Sequence, residues 1–302
     1  MKQQVLVIVG PTASGKSDLA VELARKCNGE VISADSRQVY KGLDIGTGKI
    51  TKREMQGVKH HLLDVADPKK QFSVAQYKRL ADKALKDILS RGKLPIVVGG
   101  TGFYIDALTG AASLPDVPPN KKLRKELEDK PTAELFVMLM KQDPARAKTI
   151  DASNKVRLVR ALEIVAALGK VPPLRQGSAG QAQYNFVWIG LRPDQEVLEE
   201  KILKRLGARI PGMIREAKKL YKEGLSYKRM EELGLEYRYL ARLLAKQITQ
   251  KEFVDELYTA IKQYSKRQLT WFKRNKKIAW FSGAHSPELQ AFIDSLAAVS
   301  YK

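Results

Sequence analysis

Cysteine is nearly absent: Cys27 is the only one among 302 residues. No intrachain disulfide can form, which points to a reducing, cytoplasmic setting. Cys27 falls late in the first helical segment and is expected there as a small core residue. Long apolar runs are missing as well. None approaches the roughly 18 residues of a membrane span, and the N-terminal run is cut by Pro11 too early for a signal peptide. No membrane role is expected. Acidic residues are few beside basic ones, 33 against 54, for a formal charge of +21. The surplus is spread over residues 1–115, 116–184 and 185–302 alike, so it is not a detachable tail. A small phosphorylated metabolite does not need such a surface, whereas a polyanion such as RNA would exploit it. The 44% apolar content supports a packed interior, and the length suits one large core with a smaller body.

The strongest local signal lies near the N-terminus. An apolar run, Val5–Val9, enters Gly10-Pro11-Thr12-Ala13-Ser14-Gly15-Lys16-Ser17, a full match to G-x-x-x-x-G-K-[ST]. A helix is expected from Ser17, with Leu19, Ala20, Leu23 and Ala24 at helical spacing. Glycines let the backbone N–H groups of such a loop turn inward around an anion, and the helix N-terminus adds partial positive charge. Lys16 would reach a terminal phosphate, and the Ser17 hydroxyl would sit on a bound Mg²⁺. All eight loop residues are candidates for holding a diphosphate or a nucleotide.

Strand and helix signals then alternate. Glu30–Asp35 reads as a strand, Ser73 caps a helix carrying Val74, Tyr77, Leu80, Ala81, Ala84, Leu85 and Ile88, and Leu94–Val98 reads as a buried strand entering Gly99-Gly100-Thr101-Gly102. This β-α-β order implies an α/β fold: a P-loop NTPase-like parallel sheet flanked by helices. Ligands bind at the carboxyl rim of such sheets, so the P-loop, Asp35 and Thr101 are expected to converge on one crevice. Around Leu114–Asn120 the pattern breaks. Residues 116–184 are expected to form an inserted all-helical subdomain, with Leu158, Leu162, Val165 and Ala166 as one apolar stripe and a Gly/Pro/Gln-rich loop at 169–183. Residues 184–191 return to the sheet, so the core comprises 1–115 and 185–302. The remainder reads as helical, interrupted at Pro211-Gly212, Gly224 and Gly234.

Hydrolytic P-loop proteins usually place an Asp after a second apolar strand. Leu94–Val98 ends instead in Gly-Gly-Thr, which leaves Asp35 as the nearest carboxylate, a base or a metal partner. The residues alone therefore give a P-loop group-transfer enzyme with a polyanionic partner and do not give the transferred group.

GPTASGKS, SADSRQVYKGLDIGTGK (33–49), KHHLLDVADP (59–68), VVGGTGFYIDAL (97–108) and KRQLTWFKR (266–274) together resemble the tRNA dimethylallyltransferase family, in that order and spacing. The resemblance runs from the N-terminus to about residue 280. It implies transfer of a dimethylallyl group from dimethylallyl diphosphate to the exocyclic amine of the adenosine just 3′ of the anticodon, with the P-loop on the diphosphate and Mg²⁺ as cofactor. It further implies Asp35 as general base, Thr101 against the substrate adenosine and Arg205 as a diphosphate clamp. Ser36, Arg37 and Gln38, after Asp35, look like the loop that holds an extruded base of the anticodon stem-loop. Arg124, Arg157 and Arg160 on the insertion, with Lys266, Arg267 and Arg274, are the expected contacts to tRNA phosphates. The chain is expected to act as a monomer without an obligatory protein partner.

Two positions depart from the family pattern: GTGKIT lacks a proline after its lysine, and Val156 stands where a glutamine commonly precedes the insertion arginine. Both concern RNA contact. His60 and His61 are adjacent and cannot share a helix face as metal ligands, and the aromatics of Gln268–Phe272 suit core packing at least as well as base stacking. Three alternatives stay open at this level: prenylation of free adenine nucleotide, a P-loop kinase of a small hydroxyl acceptor, and a non-catalytic RNA-binding protein.

Overall fold

A computed structural model of the chain describes residues 2–172 and 184–300. The elements run β1 (Gln4–Val9), α1 (Lys16–Lys26), β2 (Gly29–Ser33), α2 (Lys52–Met55), β3 (His60–His61), α3 (Val74–Ser90), β4 (Leu94–Gly99) and α4 (Gly102–Thr109). Then come α5 (Lys121–Glu128), α6 (Thr132–Gln142), α7 (Pro144–Ala147) and α8 (Lys155–Leu168). The chain continues with β5 (Asn185–Leu191), α9 (Gln195–Lys222), α10 (Tyr227–Leu233), α11 (Leu235–Leu244), α12 (Gln250–Phe272), β6 (Ala279–Phe281) and α13 (Pro287–Ser300). Two compact units result, Met1–Thr109 with Gln181–Lys302, and Gly110–Gly180. Among the described residues no helix is long and apolar enough to cross a membrane.

The first unit is built on a sheet of order β3-β2-β4-β1-β5-β6 in which every pairing is parallel. A strand buried on both faces needs no polar alternation, which is why β1 reads as an unbroken apolar run. Val5, Val7 and Val9 face one core with residues of α3, α9, α11 and α12, while Leu6 and Ile8 face the other with Leu19, Leu23 and Ala24 of α1 and Leu289 of α13. Ser73 caps α3 as expected, in a reciprocal pair with Gln76. The second unit packs Leu127, Leu135, Leu139, Leu158, Leu162 and Val165 into its own core. Ala166, expected in that stripe, is exposed, and its place is taken by Val159 and Ala161. Of the loop expected at 169–183, residues 173–183 lie outside the described residues.

Three further expectations are corrected. Helix α9 runs through Pro211-Gly212 without a break. An internal proline costs about 3 kcal/mol through a lost hydrogen bond and a clash four residues back. Leu198, Ile202 and Leu206 before it and Met213, Ala217 and Leu220 after it enter one core, and that burial outweighs the cost. Cys27 lies one residue past α1 and is exposed, not packed. The C-terminal part is not wholly helical: β6 adds three residues to the sheet beside β5, and β3 adds two beside β2, both too short to carry a period-2 signal.

At the amino end of β2, opposite to the ligand-binding rim, Glu30 is a buried carboxylate 2% exposed. Arg91 donates two hydrogen bonds to it, Lys93 donates a third at 2.9 Å, and a His61 ring nitrogen lies 2.7 Å away. Arg91, then His61 and Lys93, hold its carboxyl well below the usual 4.5 against the opposing effect of burial. Because the folded-state value is depressed, the stabilisation is complete above pH about 4.5 and is lost as the pH falls below it. Glu30→Gln is expected to lower the unfolding free energy by about 3 kcal/mol at neutral pH, since it leaves clustered cations unpaired. Denaturant titrations of both proteins should show that difference shrinking steadily below pH 4.5; a constant difference would contradict the assignment.

Candidate active site

The P-loop is shaped by backbone requirements first. Gly15 has φ +89° and ends the loop at the first turn of α1, and a side chain at Gly10 would meet the Leu191 carbonyl at 2.7 Å. Lys16 folds back to donate to the Pro11 carbonyl at 2.9 Å, and Ser14 Oγ is buried with no hydrogen-bond partner. Beside the loop, Gly99, Gly100 and Gly102 pass so close to Ala34, Gln268 and Trp271 that a Cβ on any of them would overlap its neighbour.

Asp35 follows β2. One of its oxygens, Oδ1, accepts the backbone N–H groups of Arg37 at 2.8 Å and Gln38 at 3.2 Å. The other has no hydrogen bond among the described residues. Thr101 does not use its hydroxyl to cap α4. It accepts the Ser36 N–H at 3.0 Å and donates to the Ser36 hydroxyl at 3.3 Å, which ties the Gly-Gly-Thr segment to the Asp35 segment. Tyr264 of α12 lines the same site, and burial pushes its phenol up to about 12.

These parts enclose one cavity of about 350 Å³. Thr12, Lys16 and Ser17 form one wall, and Asp35, Ser36, Arg37 and Gln38 another; Arg205, Glu236, Arg238, Tyr264, Arg267 and Gln268 complete it. Thr101 stands behind Ser36. The lining carries Lys16, Arg37, Arg205, Arg238 and Arg267 against Asp35 and Glu236, a surplus that suits an anion. Burial pulls the Lys16 ammonium down to about 8, with Asp35 opposing and Arg205 adding to the effect. Burial likewise raises the Glu236 carboxyl, Arg209 opposing. Lys16 and Asp35 thus sense each other across the cavity.

The remaining candidates are distributed more widely. Arg205 lies on α9 and donates to the Gly48 carbonyl at 2.9 Å. Lys266 is exposed on α12, and Arg267 stacks over the Tyr264 ring at 5.9 Å. Arg274 lies 3.9 Å over the Trp271 ring, whose indole N–H donates to Asp106, while Phe272 is buried in the core. Arg157 is exposed on α8. Arg124 and Arg160 are not free: Arg124 donates to the buried Glu163 carboxylate at 2.6 Å, and Arg160 lies 3.6 Å from it while donating to the Val117 carbonyl.

Gln268 is the residue that sequence reasoning missed. Buried in α12, it accepts the Thr12 N–H at 2.9 Å and donates to the Gly100 carbonyl at 3.0 Å, joining the P-loop to the Gly-Gly-Thr segment. The available signal was polar residues on a buried stripe, since Ile261, Ser265, Gln268 and Phe272 share one face. Among the described residues one acidic and histidine cluster stands close enough to hold a metal, Glu30, His61 and Asp87. Arg91 already occupies both carboxylates, and none of the three residues lines the cavity, so the cluster does not fit a catalytic ion.

Residues 38–275 match the model of the family described as IPP transferase. The tRNA dimethylallyltransferase of Anoxybacillus flavithermus is 41% identical over 284 residues, covering 93% of this chain and 91% of its own. That of Halalkalibacterium halodurans is 41% identical over 289 residues, with the same coverage of 93% and 91%. Among solved structures, the full-length tRNA isopentenylpyrophosphate transferase from Bacillus halodurans matches with TM-score 0.72 and 38% identity, over 99% of this chain and 96% of that one. A eukaryotic dimethylallyltransferase acting on tRNA matches with TM-score 0.83 and 26% identity, over 99% of this chain and 80% of that one.

The depressed Lys16 value gives a signed expectation. The ammonium is charged below pH 8 and neutral above it. Affinity for inorganic pyrophosphate should therefore fall about tenfold between pH 7.5 and 9, read by calorimetry. Lys16→Arg, whose guanidinium stays charged throughout, should flatten the profile; a flat profile in the unmodified protein would contradict the burial of Lys16.

Proposed function

The chain belongs to the IPP transferase family, and from that premise we propose that it is a tRNA dimethylallyltransferase. It transfers the dimethylallyl group of dimethylallyl diphosphate to the exocyclic amine of the adenosine 3′-adjacent to the anticodon, in tRNAs that read codons starting with U. The observation that carries this reading is the facing of Lys16 and Asp35 across one cationic cavity.

The adenine amine is a poor nucleophile because its lone pair is delocalised into the ring. The unbonded oxygen of Asp35 accepts the proton that the amine loses as its nitrogen bonds to the allylic carbon. Oδ1, held by two backbone N–H groups, keeps the carboxylate from swinging away. The carbon–oxygen bond breaks and its electron pair leaves on the diphosphate. Lys16, the amides of Gly10–Ser17 and Arg205 neutralise that charge. Because no phosphorus–oxygen bond is cleaved, no attacking water has to be positioned. Ser36, Arg37, Gln38 and Thr101 hold the extruded adenosine.

The donor set suits Mg²⁺. Ser17 Oγ has no hydrogen bond among the described residues and lines the cavity opposite Asp35, and Mg²⁺ is usually held by one or two protein oxygens together with phosphate oxygens and water. When bound, the ion supplies further positive charge to the departing diphosphate. Lys266, Arg267 and Arg274 on one unit and Arg157 on the other contact tRNA phosphates, and the guanidinium surfaces that Arg124 and Arg160 leave to solvent add to the field. The chain acts as a monomer in a cytoplasmic setting, which the lone cysteine suits.

Incubation with undermodified tRNA, Mg²⁺ and dimethylallyl diphosphate, followed by nucleoside mass spectrometry, should find the added five-carbon mass on adenosine. Label passing to AMP and not to tRNA would reverse the choice of acceptor. Asp35→Asn should lower turnover by about 10²-fold or more while tRNA binding persists; full turnover in that variant would remove Asp35 as the base. Affinity for tRNA should drop at least about tenfold between 50 and 200 mM salt, and a flat response would remove the phosphate contacts.

A further inference from the structure

Segment 44–49, Asp44-Ile45-Gly46-Thr47-Gly48-Lys49, crosses the mouth of the cavity without regular secondary structure, and Gly48 lines it. Two glycines in six residues make such a segment costly to hold in one conformation. Its backbone is nevertheless bound on both polarities. The Glu216 carboxylate of α9 accepts three successive N–H groups, from Asp44 at 2.9 Å, Ile45 at 2.7 Å and Gly46 at 2.8 Å. A fourth bond comes from the Tyr237 hydroxyl at 2.6 Å. Arg209, two turns earlier on the same helix, donates to the carbonyls of Ile45 and Gly46. Lys49 closes the far end on the Tyr40 carbonyl, Asp44 and Asp64.

This anchoring has one product at the cavity: a fixed Gly48 carbonyl. That oxygen accepts Arg205 Nη2 at 2.9 Å and the Gln38 amide at 3.4 Å, so it touches a residue on the donor side and one on the acceptor side. Arg205 is otherwise an exposed side chain on a helix surface, with no ion pair among the described residues. The Gly48 α-carbon lies so near its guanidinium that a Cβ there would overlap it.

We propose that Glu216 is a positioning residue for the transfer reaction: it gathers the Asp44–Gly46 amides so that the Gly48 carbonyl aims Arg205 at the donor diphosphate. The proposal rests on the reading of Arg205 as the diphosphate clamp. A carboxylate suits the task because both of its oxygens accept and neither donates, whereas an amide would turn an NH₂ group toward N–H or O–H donors.

A double-mutant cycle tests this. Glu216→Gln should raise KM for dimethylallyl diphosphate about tenfold, with kcat and KM for tRNA changed less than about twofold. In an Arg205→Ala background the same substitution should add nothing, because the group it positions is gone. Tyr237→Phe, which removes one of the four bonds and keeps the ring, should show the same dependence on Arg205 at about threefold. A purely structural role predicts instead a melting-temperature loss that is equal in both backgrounds without a selective change in donor KM. Equal fold-changes with and without Arg205, or an unchanged donor KM in both variants, would overturn the proposal. The cycle should be run in parallel on the Kd for inorganic pyrophosphate. If the unmodified protein binds pyrophosphate with this coupling yet transfers nothing to tRNA, the proposed function fails while the positioning role stands.

Discussion

A half-buried ammonium keeps its charge more readily where an opposite charge offsets its lost hydration, and the cavity of this protein provides one. Lys16 faces Asp35 across the cavity, and Asp35 opposes the effect of burial while Arg205 reinforces it. The place of this pair follows from the sheet. Parallel strands all end on the same side of the sheet, so the loops after β1, β2 and β4 meet at its carboxyl rim.

Loops at a rim carry no rigidity of their own, and here it is supplied by side chains from distant helices. Gln268 grips the P-loop and the Gly-Gly-Thr segment at sequence separations of 256 and 168 residues. Glu216 does the same for the segment after Gly42 across 170 to 172 residues. Each is a polar group on a helix that otherwise buries apolar surface, and each satisfies backbone groups that would otherwise need water. The close approach of Gly99, Gly100 and Gly102 to Ala34, Gln268 and Trp271 is the other half of the same contact. The shape of the cavity thus depends on α9 and α12 as much as on the loops that line it.

What was legible in the sequence divides along this line. The P-loop, the Ser73 cap and the strands β1 and β4 are local patterns, set by residues within a turn or two of one another, and they read directly. Asp35 and Thr101 were placed on one rim by the order of strands alone. Gln268 and Glu216 were not readable as anchors, because their partners lie elsewhere in the chain and no local period marks them. Pro211 misled for the converse reason: its local cost is real, but three apolar residues on each side commit α9 to a single core. Cys27 misled because the helix ends at Lys26, so the next residue turns outward.

The net charge needs the same division between local count and spatial use. A surplus of +21 suggests a surface entirely available to RNA, yet part of the positive charge is consumed inside the fold. Glu30 holds Arg91, Lys93 and His61, and Glu163 holds Arg124 and Arg160 within the second unit. Lys49 is buried between Asp44 and Asp64. A buried carboxylate with two or three cations around it serves to keep those cations in register, since removing it would leave like charges facing one another. Other cations lie over aromatic rings, Arg267 over Tyr264 and Arg274 over Trp271, the latter with a long ion pair to Asp106 at 3.8 Å. Arg274 also donates Nε–H to the Trp271 carbonyl at 3.1 Å, so only part of its donor set is left to solvent. Spatial sorting of this kind, more than the total charge, decides which cations stay accessible at the surface.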